Sequence, residues 1–190
     1  MAWLPYINMA IFWLAVWLLL WNLYIVVFNR GVPNIRTAPA IRKKIIQLLK
    51  EDAKRHTAAP YKVIDIGSGN GQFTREIARA LPHARVTGIE ISRQSYWWSM
   101  CIKRLFRLHN LDYKRVDFFT YDVSDVDAVV MFFYRLHRVA QKLRRELKPG
   151  TLVTSNKFKL GDGWVPHDVI DVKTLYPFQK KLYVYYKPEA

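Results

Sequence analysis

The first 29 residues of the chain carry no charged side chain, and the run 7–28 is almost wholly apolar. A helix needs about 20 such residues to cross a bilayer. Aromatic residues, which favour the headgroup level, stand near the two ends of the run: Trp3, Tyr6, Trp21 and Tyr24. The run is too long and too evenly apolar for one face of a buried helix. It also lacks the basic start and short apolar core of a cleaved signal peptide. The pattern predicts one transmembrane helix over 1–29.

Residues 30–57 have a different pattern. Gly31, Pro33 and Pro39 predict a linker over 30–40. Apolar residues then recur at helical spacing, with basic residues largely on the other side. The apolar positions are Ile41, Ile45, Leu48, Leu49 and Ala53. We expect an amphipathic helix that packs on a sheet, lies on the membrane, or does both; packing on the sheet is the more ordinary outcome.

From residue 58 to 190, short apolar runs alternate with helical patterns. The predicted strands are 61–66, 85–91, 113–118, 127–133, 151–158, 169–175 and 181–186, and the predicted helices are 72–81, 92–109 and 134–147. Such alternation predicts an α/β fold with a mostly parallel sheet and helices on both faces. The last two strands leave no room for a helix between them, so we expect an antiparallel hairpin at the sheet end. The predicted parts are an anchor (1–29), a linker with a helix (30–57) and a sheet domain (58–190).

The chain has 30 Lys and Arg against 15 Asp and Glu, a net charge of +15 that lies wholly after residue 29. This balance favours anionic partners, which include lipid headgroups, nucleic acid and acidic proteins. Beside a predicted membrane span, anionic headgroups are the economical choice. Cys101 is the only cysteine, so an internal disulfide is excluded and a reducing compartment fits. The five histidines have no metal-ligand spacing, and we expect no metal site.

Basic residues follow the apolar run closely: Arg30, Arg36, Arg42, Lys43 and Lys44. The positive-inside rule therefore predicts a single-pass protein with its N-terminus outside and the sheet domain in the cytoplasm. The bacterial inner membrane is the expected location, or the mitochondrial inner membrane if the source is eukaryotic.

The most informative motif is an apolar run that ends in Asp65 and is followed by Gly67, Gly69 and Gly71. A strand, a tight glycine turn and a helix N-terminus form a nucleotide-type cofactor site. Dinucleotide enzymes have G-x-G-x-x-G, which would need glycine at 72, where this chain has Gln72. An acid two residues before G-x-G-x-G resembles motif I of the class I S-adenosylmethionine-dependent methyltransferases.

Three acids at the carboxyl ends of predicted strands suit this cofactor. Asp65 can accept hydrogen bonds from the ammonium of a methionine moiety or from loop amides. Glu90 ends the second strand, where an acid can bind both ribose hydroxyls. Asp117 follows the third strand and can accept from an adenine amino group; an ordinary role in the loop is equally open. The glycines let the backbone approach the ligand without a Cβ clash, although a plain tight turn is the alternative.

The chain also resembles a narrower group, the small membrane-anchored protein-lysine methyltransferases. Its mitochondrial members modify an ATP synthase ring subunit and the adenine nucleotide translocase. The stretch Asp-Phe-Phe-Thr-Tyr-Asp-Val-Ser at 117–124 is similar to that family's Asp-Leu-Trp-x-x-Asp-Leu-Ser. Other matching pieces are the apolar segment, 32–39, 65–71, 88–90, Lys142, Leu143, 146–150, Trp164 and Pro166. The chain departs from the family at Phe119, in place of tryptophan, and at Asn70, in place of an acid. The resemblance implies a Rossmann-like fold, S-adenosylmethionine as cofactor and lysine of a membrane-associated protein as methyl acceptor.

Three other functions remain open. A lipid or quinone methyltransferase fits the apolar segment and the basic charge. A nucleic-acid methyltransferase fits the charge, but Phe-Phe-Tyr-Arg at 132–135 replaces the [DN]-P-P-[YF] signature of amine methylation, so nucleic acid is the weaker candidate. A tethered cofactor-binding module without catalysis is the third.

Acceptor lysines lose a proton more easily in a desolvated aromatic channel. The candidate lining residues are Trp97, Trp98, Phe119, Tyr134 and Trp164. The residues themselves assign no catalytic group.

Overall fold

A computed structural model describes residues 3–28, 36–56, 60–132, 136–161, 163–176 and 178–189. The chain forms two compact units, Met1–Ile35 and Arg36–Ala190. The first contains helix α1 (Leu4–Phe28), whose 25 residues correspond to about 37 Å. Among the described residues, this is the only helix long and apolar enough to cross a membrane. The predicted apolar helix is therefore confirmed as a helix.

The second unit is built on a sheet that has seven strands among the described residues. The strands are β1 (Lys62–Ile66), β2 (Arg85–Glu90), β3 (Leu111–Arg115), β4 (Ala128–Met131), β5 (Leu152–Asn156), β6 (Asp168–Asp171) and β7 (Lys181–Tyr186). Their order is β3-β2-β1-β4-β5-β7-β6, with β1 to β5 parallel to one another. β7 runs antiparallel to both β5 and β6. This confirms the predicted Rossmann-like sheet with its antiparallel hairpin at one end, and β7 is the strand that joins the hairpin to β5.

The helices of this unit are α2 (Pro39–Ala53), α3 (Gln72–Ala80), α4 (Arg93–Leu105) and α5 (Leu136–Glu146), and Phe118–Thr120 forms one 3-10 turn. The central strands read as continuous apolar runs because both faces of the sheet are covered. On one face, Ile41, Ile45 and Leu49 of α2 are fully buried against the sheet. Each such side chain contributes about 1.5–3 kcal/mol by its burial. Helix α2 therefore packs on the sheet, as the sequence favoured. The three-part division at 29 and 57 stays a prediction.

Helix α4 is shorter than the predicted 92–109. It ends at Leu105 because Arg107 adopts a left-handed backbone with φ 48°. The Leu108 N–H donates to the Lys103 carbonyl at 3.3 Å, and the Arg107 N–H donates to the Arg104 carbonyl at 3.1 Å. These two bonds form a Schellman motif, whose left-handed position usually holds glycine. Because arginine occupies this position, the sequence did not indicate that the helix ends here.

Strand β3 begins and ends earlier than the predicted 113–118. Directly before it, the Asn110 side-chain amide donates to the carbonyls of Ala78, Leu81 and Ala84 at 2.9 to 3.3 Å. The strand ends at Arg115, so Asp117 and Phe118 lie in the turn after it. Residues 133–135, at the predicted junction of strand and helix, lie outside the described residues.

Candidate cofactor site

The loop after β1 contains three glycines with a left-handed backbone. The φ values are 72° for Gly67, 54° for Gly69 and 71° for Gly71, a region that other residues rarely adopt. A Cβ on Gly71 would lie 2.2 Å from the Tyr113 hydroxyl and 2.7 Å from Ser99 Oγ. Gly71 also precedes the first residue of α3, so the glycine loop leads directly into a helix N-terminus.

Strand β2 holds this glycine loop (residues 67–71) from the side. The N–H groups of Gly67 and Ser68 both donate to the Ile89 carbonyl at 2.9 Å. The Gly69 N–H donates to Glu90 Oε2 at 2.8 Å, and the Ser92 N–H donates to Glu90 Oε1 at 2.7 Å. A carboxylate has about four lone-pair positions, so Glu90 keeps acceptor capacity for a ligand while it positions the loop.

Asp65 lies under the loop at the end of β1, and only 6% of its surface is exposed. The Thr74 hydroxyl donates to Asp65 Oδ2 at 2.6 Å. Burial raises the pKa of the Asp65 carboxyl to about 6; the Thr74 hydrogen bond opposes this rise and the charge of Glu90 adds to it. Asp65 is therefore a carboxylate whose ionisation is costly until a positive group binds beside it.

Asp117 lies in the turn after β3, and its side chain is exposed. Its Oδ1 accepts the Phe119 N–H at 3.0 Å and so caps the 3-10 turn. Because β3 is the neighbour of β2, this turn leaves the sheet at the same edge as Glu90 and the glycine loop. The topology thus brings all six predicted site residues to the carboxyl edge of three adjacent strands: Asp65, Gly67, Gly69, Gly71, Glu90 and Asp117. A direct hydrogen bond joins Gly69 to Glu90, whereas Asp117 accepts from Phe119 within its own turn.

Three residues that support the loop from below carry no signal in the sequence. Tyr113 on β3 donates its hydroxyl to the Gly71 carbonyl at 2.9 Å, and burial raises its pKa to about 12, which keeps the donor proton in place. Ser99 on α4 donates to the Gly69 carbonyl at 3.2 Å. Thr74 on α3 orients Asp65. None of the three belongs to a recognisable sequence motif. Each reaches the loop only because the strand or helix that carries it packs beside the loop.

The residues at this edge fit an adenosine-bearing cofactor. Ser68 Oγ is buried in the loop without a hydrogen-bond partner, and a buried polar atom of this kind is costly unless a ligand or water satisfies it. The backbone of the loop has no Cβ at its three glycines, so a ligand can approach it closely. Glu90 supplies an acceptor suited to vicinal hydroxyls, and the buried Asp65 supplies an acceptor suited to a cation.

The predicted aromatic lining is only partly at this edge. Trp164 is buried in the core, where its Nε1 donates to the Ala140 carbonyl at 3.1 Å. Trp97 and Trp98 are 52% and 58% exposed on α4. Phe119 lies in the turn after Asp117, with the Arg138 guanidinium 4.7 Å from its ring centroid. Tyr134 lies outside the described residues. Of this set, Phe119 is the aromatic residue beside a predicted cofactor acceptor.

The sheet order, the glycine loop after β1 and the acid at the end of β2 define a class I S-adenosylmethionine-dependent methyltransferase. The comparison with protein families agrees with this class. The model of the ANTKMT methyltransferase domain matches residues 65–168, more than half of the chain. The chain belongs to this family of methyltransferases.

Individual relatives support the same assignment. A protein-lysine N-methyltransferase of Saccharolobus islandicus is 28% identical over 145 residues, which are 75% of this chain and 88% of the relative. A malonyl-[acyl-carrier protein] O-methyltransferase of Halalkalibacterium halodurans is 26% identical over 73% of this chain, and the match spans only 53% of that protein.

Among solved structures, an RNA methyltransferase of Salinibacter ruber in complex with S-adenosylhomocysteine is 25% identical. The superposition includes 82% of this chain and 95% of the Salinibacter protein, with a TM-score of 0.67. An S-adenosylmethionine-dependent methyltransferase of Aquifex aeolicus is 15% identical, covers 80% of this chain and 98% of its own, and has a TM-score of 0.53, which supports the fold alone. The chain is thus an S-adenosylmethionine-dependent methyltransferase.

Proposed function

We propose that this chain is a protein-lysine N-methyltransferase that is held in a membrane by α1 and acts on a membrane-associated protein. The observation that carries the lysine assignment is the family match over 65–168, together with the 28% identical relative named as a protein-lysine N-methyltransferase. The block 117–124, which resembles the lysine-methylating group, lies in the turn beside the cofactor edge.

We assign the cofactor contacts as follows. The glycine loop approaches the ligand through its backbone, Glu90 accepts from ribose hydroxyls, and Asp65 accepts from the methionine ammonium. Asp117 accepts from the adenine amino group, with the oxygen that does not cap Phe119. When bound, S-adenosylmethionine supplies an activated methyl group for in-line displacement by an uncharged amine.

The protein's own contribution to this reaction is positioning and desolvation. A lysine acceptor has an ordinary pKa of about 10.4, so it must lose a proton before transfer. A dry, aromatic rim lowers that pKa because it penalises the charged amine. Phe119, half-buried beside Asp117, is the described aromatic residue that we place on this rim. We assign no general base.

The membrane part of the proposal rests on α1 and on the charges that follow it. α1 has no charged side chain over 25 residues, and Arg36, Arg42, Lys43 and Lys44 come soon after it. We propose a single span with the N-terminus outside and the methyltransferase domain in the cytoplasm, or in the matrix for a mitochondrial source. Tethering raises the effective concentration of an acceptor in the same membrane without any new contact. Anionic headgroups neutralise part of the domain's positive charge, which would otherwise repel a lysine-rich acceptor.

The test is a transfer assay with radiolabelled S-adenosylmethionine and membranes from cells that lack the enzyme. We expect label in protein, at N-methylated lysine identified by mass spectrometry, and much less label with Glu90→Ala at a limiting concentration of S-adenosylmethionine. Lipid extracts and RNA serve as competing acceptors in parallel reactions. Label in lipid or quinone with no change at any protein lysine would replace the lysine assignment with the lipid alternative, and label confined to RNA would replace it with the nucleic-acid alternative.

A second comparison tests the anchor. Removal of residues 1–29 should leave the affinity for S-adenosylhomocysteine unchanged and sharply lower methylation of the membrane acceptor. Equal methylation by both forms would contradict the tethering role while leaving the lysine chemistry in place.

A further inference from the structure

The connection between β6 and β7 is an exposed apolar loop, residues 172–180, of which 177 lies outside the described residues. Leu175 is 99% exposed, Phe178 is 74% exposed and Tyr176 is 46% exposed. The base of the loop is closed, because the Val172 N–H donates to the Lys180 carbonyl at 2.7 Å. Large apolar side chains are rarely left in water together on a closed, ordered turn unless they have a partner.

This β6–β7 loop leaves the sheet at the same edge as the cofactor site. Asp171 pairs with Lys181, and the first residues of β7 lie beside the end of β5, where Asn156 pairs with Leu182. The glycine loop follows the end of β1, and β7 is three strands away from β1 in the sheet. At about 4.8 Å per strand, the two loops are separated by about 14 Å along the edge.

The chain enters the sheet domain at this loop. Gln179 is 3% exposed; its Oε1 accepts the Ala38 N–H at 2.7 Å and its Nε2 donates to the Arg36 carbonyl at 2.9 Å. Gln179 therefore binds the polypeptide that arrives from α1. The connecting segment 29–35 has seven residues, and the path from Phe28 to Arg36 reaches at most about 29 Å when fully extended.

The charges on the loop complement an anionic surface. Its charged residues are two exposed lysines, Lys173 and Lys180, and it contains no acid. A third exposed lysine, Lys157, lies 5.5 Å from the centroid of the Phe178 ring. An aromatic and leucine tip with basic flanks is the composition of segments that lie in the headgroup region of a bilayer.

We propose that the β6–β7 loop docks in the headgroup region of an anionic bilayer, so that the edge of the sheet with the cofactor site faces the membrane surface. This inference rests on the membrane span given under Proposed function, and it adds the surface of the domain that meets the lipid. The acceptor side chain is then presented at the level of the headgroups.

The sequence offers a direct test, because Cys101 is the only cysteine and is exposed on α4. In the full-length protein with Cys101→Ser and Leu175→Cys, an environment-sensitive fluorophore reports on the loop. The matched control is the unchanged chain with the same fluorophore on Cys101. This label tests the other exposed apolar surface of the domain, because Cys101 lies on α4 with the exposed Trp97 and Trp98. Both proteins are reconstituted in phosphatidylcholine vesicles with and without phosphatidylglycerol, and quenching by lipid-borne nitroxides is measured.

We expect emission from position 175 to shift to the blue and to lose most of its intensity to the lipid quencher in anionic vesicles. Neutral vesicles or high salt should weaken this effect, and the label at Cys101 should stay in water. A further variant, Leu175→Ser with Phe178→Ser, should keep its affinity for S-adenosylhomocysteine and lose most of its methylation of membrane acceptors.

Flotation of the vesicles separates the two proposals. A protein that floats with vesicles while position 175 stays in water overturns the docking surface and leaves the membrane span and lysine chemistry intact. Quenching at Cys101 in place of 175 also overturns it, in favour of the α4 face. A protein that does not float overturns the span and the docking surface together.

Discussion

The carboxylate of Glu90 accepts the backbone N–H of Gly69 at 2.8 Å. The residue that ends β2 thus positions the turn that follows β1. The other oxygen of Glu90 accepts the Ser92 N–H and orients the start of α4. Glu90 therefore shapes the glycine loop, and we propose that it is also an acceptor for the cofactor.

The first prediction concerns this double role. Glu90→Ala should weaken S-adenosylhomocysteine binding by about 1.5–3 kcal/mol, because hydrogen bonds to a charged acceptor are lost. Titration calorimetry measures the change. Glu51→Ala is the control and should bind normally, because Glu51 is an exposed acid on α2 that accepts from the nearby Gln47 side chain. Equal affinity of Glu90→Ala and the unchanged protein would contradict the assignment of Glu90 to the cofactor.

The second prediction concerns Asp65. Its pKa of about 6 lies above the 3.9 of an unfolded aspartate, so its ionisation costs folding free energy as the pH rises from about 4 through about 6. Asp65→Asn should therefore raise the free energy of unfolding of the cofactor-free protein, by up to about 3 kcal/mol above pH ~7, and change little near pH ~4. Urea unfolding at the two pH values measures this.

Cofactor binding should respond to Asp65 with the opposite sign. A cofactor ammonium favours the ionised carboxylate, so the affinity of the unchanged protein should increase as the pH rises through about 6 and then level off. Asp65→Asn should bind more weakly and lose this pH dependence. Asp112→Asn is a contrasting control: Lys114 and Lys103 help to lower the pKa of Asp112 against the opposing effect of burial, so its loss should destabilise the fold slightly and leave binding unchanged. If Asp65→Asn kept the pH dependence of the unchanged protein, the assignment of Asp65 to the cofactor ammonium would be contradicted.

The third prediction separates backbone strain from steric clash in the glycine loop. Gly71→Ala and Gly150→Ala both place alanine at a positive φ, 71° and 78°, which costs about 1–2 kcal/mol. Gly150 has open space around it, whereas a Cβ at Gly71 meets the Tyr113 hydroxyl at 2.2 Å. Gly71→Ala should therefore lose about 1–3 kcal/mol more stability than Gly150→Ala. A Tyr113→Phe background removes the 2.2 Å contact and leaves the ring carbon Cζ at 2.6 Å, so the extra cost should shrink in part. An unchanged difference would mean that the hydroxyl does not contribute to the clash.

The fourth prediction concerns the buried amide of Gln179. It joins Arg36 and Ala38 to the sheet and also accepts from Asn156 Nδ2 at 2.9 Å. Gln179→Ala should lower the free energy of unfolding by about 2–4 kcal/mol, since three hydrogen bonds of about 1 kcal/mol each are lost in a buried place. It should also speed trypsin cleavage after Arg36. Gln47→Ala, an exposed amide on α2, is the control. Unchanged proteolysis would mean that Gln179 does not hold the start of the domain.

The sequence by itself predicted the element types and the glycine motif on which the proposed cofactor site rests. The glycine motif after Asp65 needs a left-handed turn between a strand and a helix, and the three φ values are all left-handed. The apolar runs of β1, β4 and β5 required a sheet that is covered on both faces, because uncovered faces would expose those runs to water. Both requirements depend on residues that are close together in the sequence, so they could be predicted from it.

Only the tertiary structure decided how distant residues meet. The bond from Gly69 to Glu90 spans 21 positions and the bond from Ala38 to Gln179 spans 141. The sequence does not show which residues form these pairs, because an acid or an amide looks the same in the sequence whatever it contacts. The end of α4 at Leu105 could not be predicted either, since the left-handed position that follows it holds Arg107 where glycine is usual. Packing of whole elements over long separations selects these contacts, and it places Gln179 and the β6–β7 loop at the same edge as the glycines.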